Sequence, residues 1–246
     1  MTSVRIAAAG DIHLGEDMRG SYRARIEGIE ERADVLLLAG DLTRHGTLEE
    51  GRLVADEFRG LRIPVVAVLG NHDYHSDLQE EIAGELREAG VVVLDDGGTV
   101  VECDGLRLGV VGGKGFGGGF AGKSASEFGE REIKNFVGHT RHIAERWRIA
   151  LKEIDADRTV VLSHYSPVKE TLEGEPPEIY PFLGSYLLAE AVDTEGADLI
   201  LHGHAHKGAE KGMTPGGIRV RNVALPVLGR SYGVYCLDGE CTPAPR

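Results

Sequence analysis

Five apolar runs in this chain stop at a glycine or serine and pass directly to a side chain that binds metals or moves protons. "RIAAAG" precedes Asp11 and His13, "VLLLAG" precedes Asp41, and "VAVLG" precedes Asn71, His72 and Asp73. "TVVLS" precedes His164, and "LILHG" precedes His204 and His206. Runs this continuously apolar suit strands buried on both faces, not strands with one face in water. Further runs, "VVVL", "LRLGVVGG", "IRVRNVALP" and "VYCLDG", have the same character.

Between these strands lie helical patterns. The clearest spans 127–155, with Ile133, Phe136, Val137, Ile143, Ala144, Trp147, Leu151 and Ile154 on one stripe. Weaker patterns cover 21–32, 47–59, 77–89 and 185–193. Alternating strands and helices define an α/β architecture. In "VVVLDDGGTVVECDGLRLGVVGG" the DG pairs read as hairpin turns, which makes the sheet mixed. No low-complexity linker or fixed-period repeat divides residues 1–246, so a single domain is expected.

In α/β sheets, ligands bind beyond the carboxyl ends of the strands. The residues that end these five runs therefore converge. Nitrogen and oxygen donors without thiolates suit Mn, Fe or Zn rather than a structural cysteine site. Two such ions close together need a bridging group, a role open to a carboxylate and closed to an imidazole. A hydroxide formed between them can attack phosphorus in line, so the donor set points to phosphoester hydrolysis.

In order and spelling, "GDIH", "GDLT", "GNHD", "SH" and "GHAH" resemble the calcineurin-like metallophosphoesterase superfamily. The resemblance runs from Asp11 to His206. It implies a four-layer α-β-β-α sandwich of two mixed sheets. It also implies that Asp11, His13, Asp41 and His206 hold one metal, while Asp41, Asn71, His164 and His204 hold the other. His72 would be the acid that contacts phosphate, with Asn71 helping to hold the phosphoryl oxygens. Protein serine/threonine phosphatases of the superfamily carry GD-x-x-DRG where this chain has "GDLTRHG". Arg44 thus stands in place of the aspartate that orients the acid histidine, and His45 in place of the phosphate-gripping arginine. Asp73 or a main-chain carbonyl must orient His72 instead. The pattern looks closer to the cyclic-nucleotide phosphodiesterase-type branch.

The formal charge of −13 and the absence of a basic cluster argue against nucleic acid as partner, and with it against a DNA exonuclease. The expected partner is a small phosphate ester. A non-catalytic scaffold or metal-dependent binding module on the same fold is the reading from another class. Cys103, Cys236 and Cys241 show no disulfide framework and no zinc-knuckle spacing. With no membrane span or signal-like run, a cytoplasmic protein is expected.

Two segments stand apart. "GGGFAGKS" spells a P-loop, but the strand before it ends several residues too early, and a flexible glycine loop over 112–123 is expected. Lys114 or Lys123 could touch a substrate phosphate from that loop. The proline-bearing loop at 166–184 follows His164 and must pass close to a bound phosphate, with Tyr165 and Tyr180 as flat faces or as packed side chains.

Overall fold

The computed structural model describes residues 4–103 and 105–237. The chain begins with β1 (Arg5–Ala9), α1 (Ser21–Arg25), β2 (Val35–Ala39), α2 (Leu48–Phe58), β3 (Val65–Val68), α3 (Gln79–Glu88) and β4 (Val92–Leu94). It continues through β5 (Gly97–Cys103), β6 (Leu106–Gly113), the two-residue strands β7 (Gly119–Phe120) and β8 (Lys123–Ser124), and α4 (Arg131–Glu153). Next come β9 (Arg158–Ser163), α5 (Tyr180–Leu183), α6 (Tyr186–Glu195) and β10 (Leu199–His202). The last elements are β11 (Lys211–Met213), β12 (Arg219–Asn222), α7 (Leu225–Leu228) and β13 (Gly233–Cys236).

Two mixed sheets form. The first has the order β13-β1-β2-β3-β4, parallel except where β13 runs against β1. The second has the order β11-β12-β10-β9-β6-β5, with a parallel centre and antiparallel edges. Successive side chains of a strand point to opposite faces, and both faces are covered here. Ala7, Ala9, Leu36 and Leu38 meet Tyr22, Phe58, Ile82 and Leu86 from the helices outside the first sheet. Their neighbours Ile6, Ala8, Val35 and Leu37 meet Val110, Val160, Leu162 and Leu201 of the second sheet. On the far side, Val111, Val161 and Ile200 meet Trp147, Leu151, Leu188 and Val192 of α4 and α6. These four layers explain the unbroken apolar runs. A fully buried leucine such as Leu37 contributes about 1.5–3 kcal/mol of transfer free energy.

Several local expectations change. The Asp96–Gly97 pair is not a hairpin: β4 pairs parallel with β3 in the first sheet, whereas β5 belongs to the second. The other DG pair does precede a hairpin partner, since β5 and β6 run antiparallel past Gly105 (Asp104 lies outside the described residues). Ile133 is exposed, because the helical stripe reaches the sheet only from Val137 onward. The 21–32 pattern splits into α1 and a 3-10 turn at Ile29–Glu31, broken at Gly28 by a left-handed backbone.

The glycine-rich segment is surface only at its end, over 121–123. Gly115 and residues 117–120 are buried, and Gly118 and Gly119 donate backbone hydrogen bonds to Pro181 and Gly184. No helix starts at Lys123, so the P-loop spelling has no phosphate cradle. Cys236 is disulfide-bonded while Cys103 is free and buried, which corrects the reading of the cysteines as forming no disulfide; Cys241 lies outside the described residues. Among the described residues, no helix is long and apolar enough to cross a membrane.

Candidate metal centre

The carboxyl ends of β1, β2 and β3 from one sheet and of β9 and β10 from the other meet along one edge of the sandwich. All seven candidate donors collect there. Asp11, His13, Asp41 and His206 form one cluster whose ligand atoms lie within 4.8 Å of one another; Asp41, His164 and His204 form a second. Asn71 joins the second cluster, with Oδ1 2.9 Å from His164 Nε2.

Asp41 belongs to both clusters and turns one oxygen toward each. Oδ1 lies 3.3 Å from His164 Nε2, and Oδ2 lies 3.9 Å from His13 Nε2. The Asp41 carboxylate is almost fully buried. Burial opposes its ionisation, but His164 and the His72 amide N–H outweigh it and hold its pKa well below the usual carboxylate range.

The backbone is bent to bring these groups together. Among the described residues, six non-glycine residues have positive φ, and four of them are candidate donors: Asp11 (57°), His13 (50°), Asp41 (53°) and His204 (71°). Such a conformation costs roughly 1–2 kcal/mol per residue, and its concentration at one place marks a functional constraint. Glycine before the donor is also dictated by space. A Cβ on Gly70 would collide with Asp41 Oδ1, and one on Gly203 with Asp11 Oδ2.

Main-chain carbonyls orient the imidazoles, a feature invisible in a sequence because every residue carries one. His164 Nδ1–H donates to Ala39 O at 2.8 Å, which turns Nε2 toward the centre. His204 Nε2–H donates to Phe182 O at 3.2 Å, which leaves Nδ1. That carbonyl comes from the proline-bearing loop, whose tyrosines pack inward. Tyr165 is buried with its ring 4.4 Å from that of His204, and Tyr180 Oη donates to Leu172 O.

His72 is oriented in the second of the two ways open to it. Its Nδ1–H donates to the main-chain oxygen of Arg44 at 2.7 Å, so Nε2 faces the centre, 4.0 Å from Asp41 Oδ2. The Arg44 side chain turns away to Asp17, and His45 is tied to Glu50. Asp73 instead braces the turn, accepting from Leu42 N, Thr43 N, Thr43 Oγ1 and Gly70 N. His202, at the end of β10, is fully buried. It donates from Nδ1 to Gly203 O, accepts from Thr171 Oγ1, and is pushed down to about 4 by burial.

The donors fit cations. His13 Nε2 and His206 Nε2 stand 3.4 Å apart beside two carboxylates, and His13 Nδ1 is buried without a partner. Burial alone would lower the His164 pKa, yet the Asp41 carboxylate raises it to about 9. The pocket therefore demands positive charge. Burial pushes His204 down to about 3, so its nitrogen stays neutral and able to coordinate. Oxygen and imidazole donors without sulfur match the chemistry of divalent first-row metals.

Two donor clusters sharing a carboxylate, set where two mixed sheets meet, define a metal-dependent phosphoesterase. The chain belongs to the calcineurin-like phosphoesterase family, whose profile matches residues 4–208. Solved structures share the fold. A phosphopantetheinyl hydrolase from Mycobacterium tuberculosis matches with TM-score 0.69 at 16% identity over 98% of each chain. A putative 5'-nucleotidase from Staphylococcus aureus matches with TM-score 0.58 at 14% identity, over 100% of this chain and 56% of that one. A protein from Thermus thermophilus matches with TM-score 0.54 at 15% identity, over 96% of this chain and all of that one. Comparison with curated proteins yields no match.

Proposed function

We propose that the protein hydrolyses phosphate mono- or diesters of small molecules with two divalent metal ions. Asp11, His13, Asp41 and His206 would hold one ion, and Asp41, Asn71, His164 and His204 the other. The observation that carries this reading is the buried Asp41 carboxylate with one oxygen toward each cluster. When bound, such an ion pair supplies Lewis-acid charge and lowers the pKa of water to near neutrality.

The remaining work falls to the protein's own groups. His72 is fixed through Nδ1, so Nε2 carries the proton delivered to the leaving oxygen. The Asn71 amide N–H₂ is the donor left for a phosphoryl oxygen, since Oδ1 faces His164. Two carboxylates against two dications leave the centre positive, so the acidic surface does not oppose an anionic substrate.

The test is a panel of phosphomonoesters, phosphodiesters, cyclic nucleotides and phosphopantetheine esters assayed with added Mn²⁺. His72→Ala should keep both metals and lose roughly 10²–10⁴-fold in turnover. The loss should shrink for activated leaving groups, which need less protonation. Bound metal without turnover on any ester would favour the scaffold reading. A His72→Ala protein that arrives free of metal would make His72 a ligand.

A further inference from the structure

Lys114 follows the last residue of β6, and its main-chain oxygen accepts the N–H groups of His164 and Tyr165. Its backbone is therefore anchored beside the second cluster. The ammonium stands over three rings, 4.9 Å from the Tyr74 centroid, 4.8 Å from Phe116 and 5.3 Å from Tyr165. It makes no hydrogen bond or ion pair among the described residues. Of the acids nearest to it, one is engaged elsewhere and the other borders the same cavity. Asp96 accepts from Trp147 Nε1 at 3.1 Å and faces Arg146 at 3.8 Å, while Asp95 lines a small cavity of about 40 Å³ that Lys114 also borders.

Aromatic faces stabilise a cation without using its donors. Three N–H groups directed among rings therefore remain available to an oxygen ligand. The Tyr165 ring stands between the ammonium and the centre, 4.4 Å from the His204 ring and 5.6 Å from that of His164. An ester phosphate held by those histidines is thus a ring's width from Lys114. Phe116 packs against Tyr165 beside the ammonium, with His139 edge-on to Phe116 at 4.9 Å.

We propose that Lys114 forms a subsite for a second anionic group of the substrate, a carboxylate or further phosphate separated from the cleaved ester by a flat or apolar spacer. This rests on the phosphoesterase reading and names the substrate class that the centre would select. The competing role for Lys114 is that of a counter-ion for Asp95 and Asp96.

The experiment compares full-length, metal-loaded wild type, Lys114→Met and Lys114→Arg, with exposed Lys123→Met as control. The probes are phenyl phosphate and 4-carboxyphenyl phosphate, together with their methyl diesters. Wild type and Lys123→Met should bind the carboxylated ester better, by about ten- to hundredfold in KM, the range for a hydrogen bond to a charged group. Lys114→Met should bring that ratio toward one, and Lys114→Arg should restore most of it. Calorimetric binding of 4-carboxyphenylphosphonate against phenylphosphonate, which carry no ester bond to cleave, should follow the same pattern without turnover. A ratio unchanged by Lys114→Met, or KM values raised equally for both esters, would overturn the subsite. If no ester is turned over although metal is bound, the phosphoesterase reading fails instead, and the phosphonate comparison still decides on Lys114.

Discussion

Asp41→Asn replaces one carboxylate oxygen by an NH₂ group, and the structure dictates which one. Oδ1 accepts the His72 backbone N–H at 2.8 Å, whereas Oδ2 faces His13 Nε2 at 3.9 Å and His72 Nε2 at 4.0 Å. An NH₂ placed at Oδ1 would meet the His72 N–H donor to donor, leaving a buried group unsatisfied at a cost of about 1–3 kcal/mol. The asparagine therefore keeps its oxygen there and turns its nitrogen toward His13 and His206. That nitrogen has no lone pair for a cation. The Asp11, His13 and His206 cluster loses a ligand, while the His164 and His204 cluster keeps its own. Bound metal should fall from about two ions per chain to about one. Affinity at the depleted cluster should drop by more than the roughly 10–100-fold typical of an outer hydrogen-bond partner. In the metal-free variant, His164 should titrate far below about 9, because burial is then opposed by less negative charge. Metal analysis after gel filtration gives the first number, and an imidazole NMR titration gives the second. Two metals at wild-type affinity, or loss confined to the His164 cluster, would show that Asp41 is not shared as described.

Gly70→Ala should weaken metal binding and destabilise the protein by about 1–3 kcal/mol through overpacking against Asp41. Gly84→Ala in α3, with open space at the new methyl, should instead stabilise by about 0.5–1 kcal/mol; denaturant midpoints distinguish the two. Removing metal with a chelator should lower the melting temperature by roughly 10 °C relative to protein at about 1,000 times the dissociation constant, and unchanged calorimetric melting would exclude a specific site. His202 is neutral in the fold with a pKa of about 4 against 6.5 when unfolded, so the unfolded chain takes up its proton first as pH falls. About 3 kcal/mol of stability should be lost between about pH 6.5 and 4, and His202→Gln should flatten that part of the urea-midpoint profile.

The layered fold could be read from the chain because burial of both sheet faces leaves a direct trace. Leu36 and Leu37 look in opposite directions and are both fully covered, so both positions must be apolar. The candidate donors that the structure brings together were also legible, since Asp11, Asp41, Asn71, His164 and His204 directly follow a glycine or serine at a strand end. What could not be read was tertiary in origin. The Asp96–Gly97 pair has the chemistry of a hairpin turn, yet Val92–Leu94 finds its partner in β3 and the chain crosses to the other sheet. Glycines 115, 117, 118 and 119 look mobile, but Phe136, Pro181, Ser185 and Leu188 close around them. The carbonyls of Ala39, Arg44 and Phe182 that orient His164, His72 and His204 carry no signal in residue type.

Asp11 and His206, joined at 2.7 Å, are separated by 195 positions of chain. During synthesis, β1 to β4 can emerge with Asp11, Asp41 and Asn71 while β13 of their sheet and every imidazole of the second sheet are still unmade. A nascent chain at that stage presents oxygen donors and His13 but has no partner sheet to close over them. Bringing such distant segments together is slow compared with forming local turns. A centre drawn from both sheets is therefore complete only once the two sheets have docked.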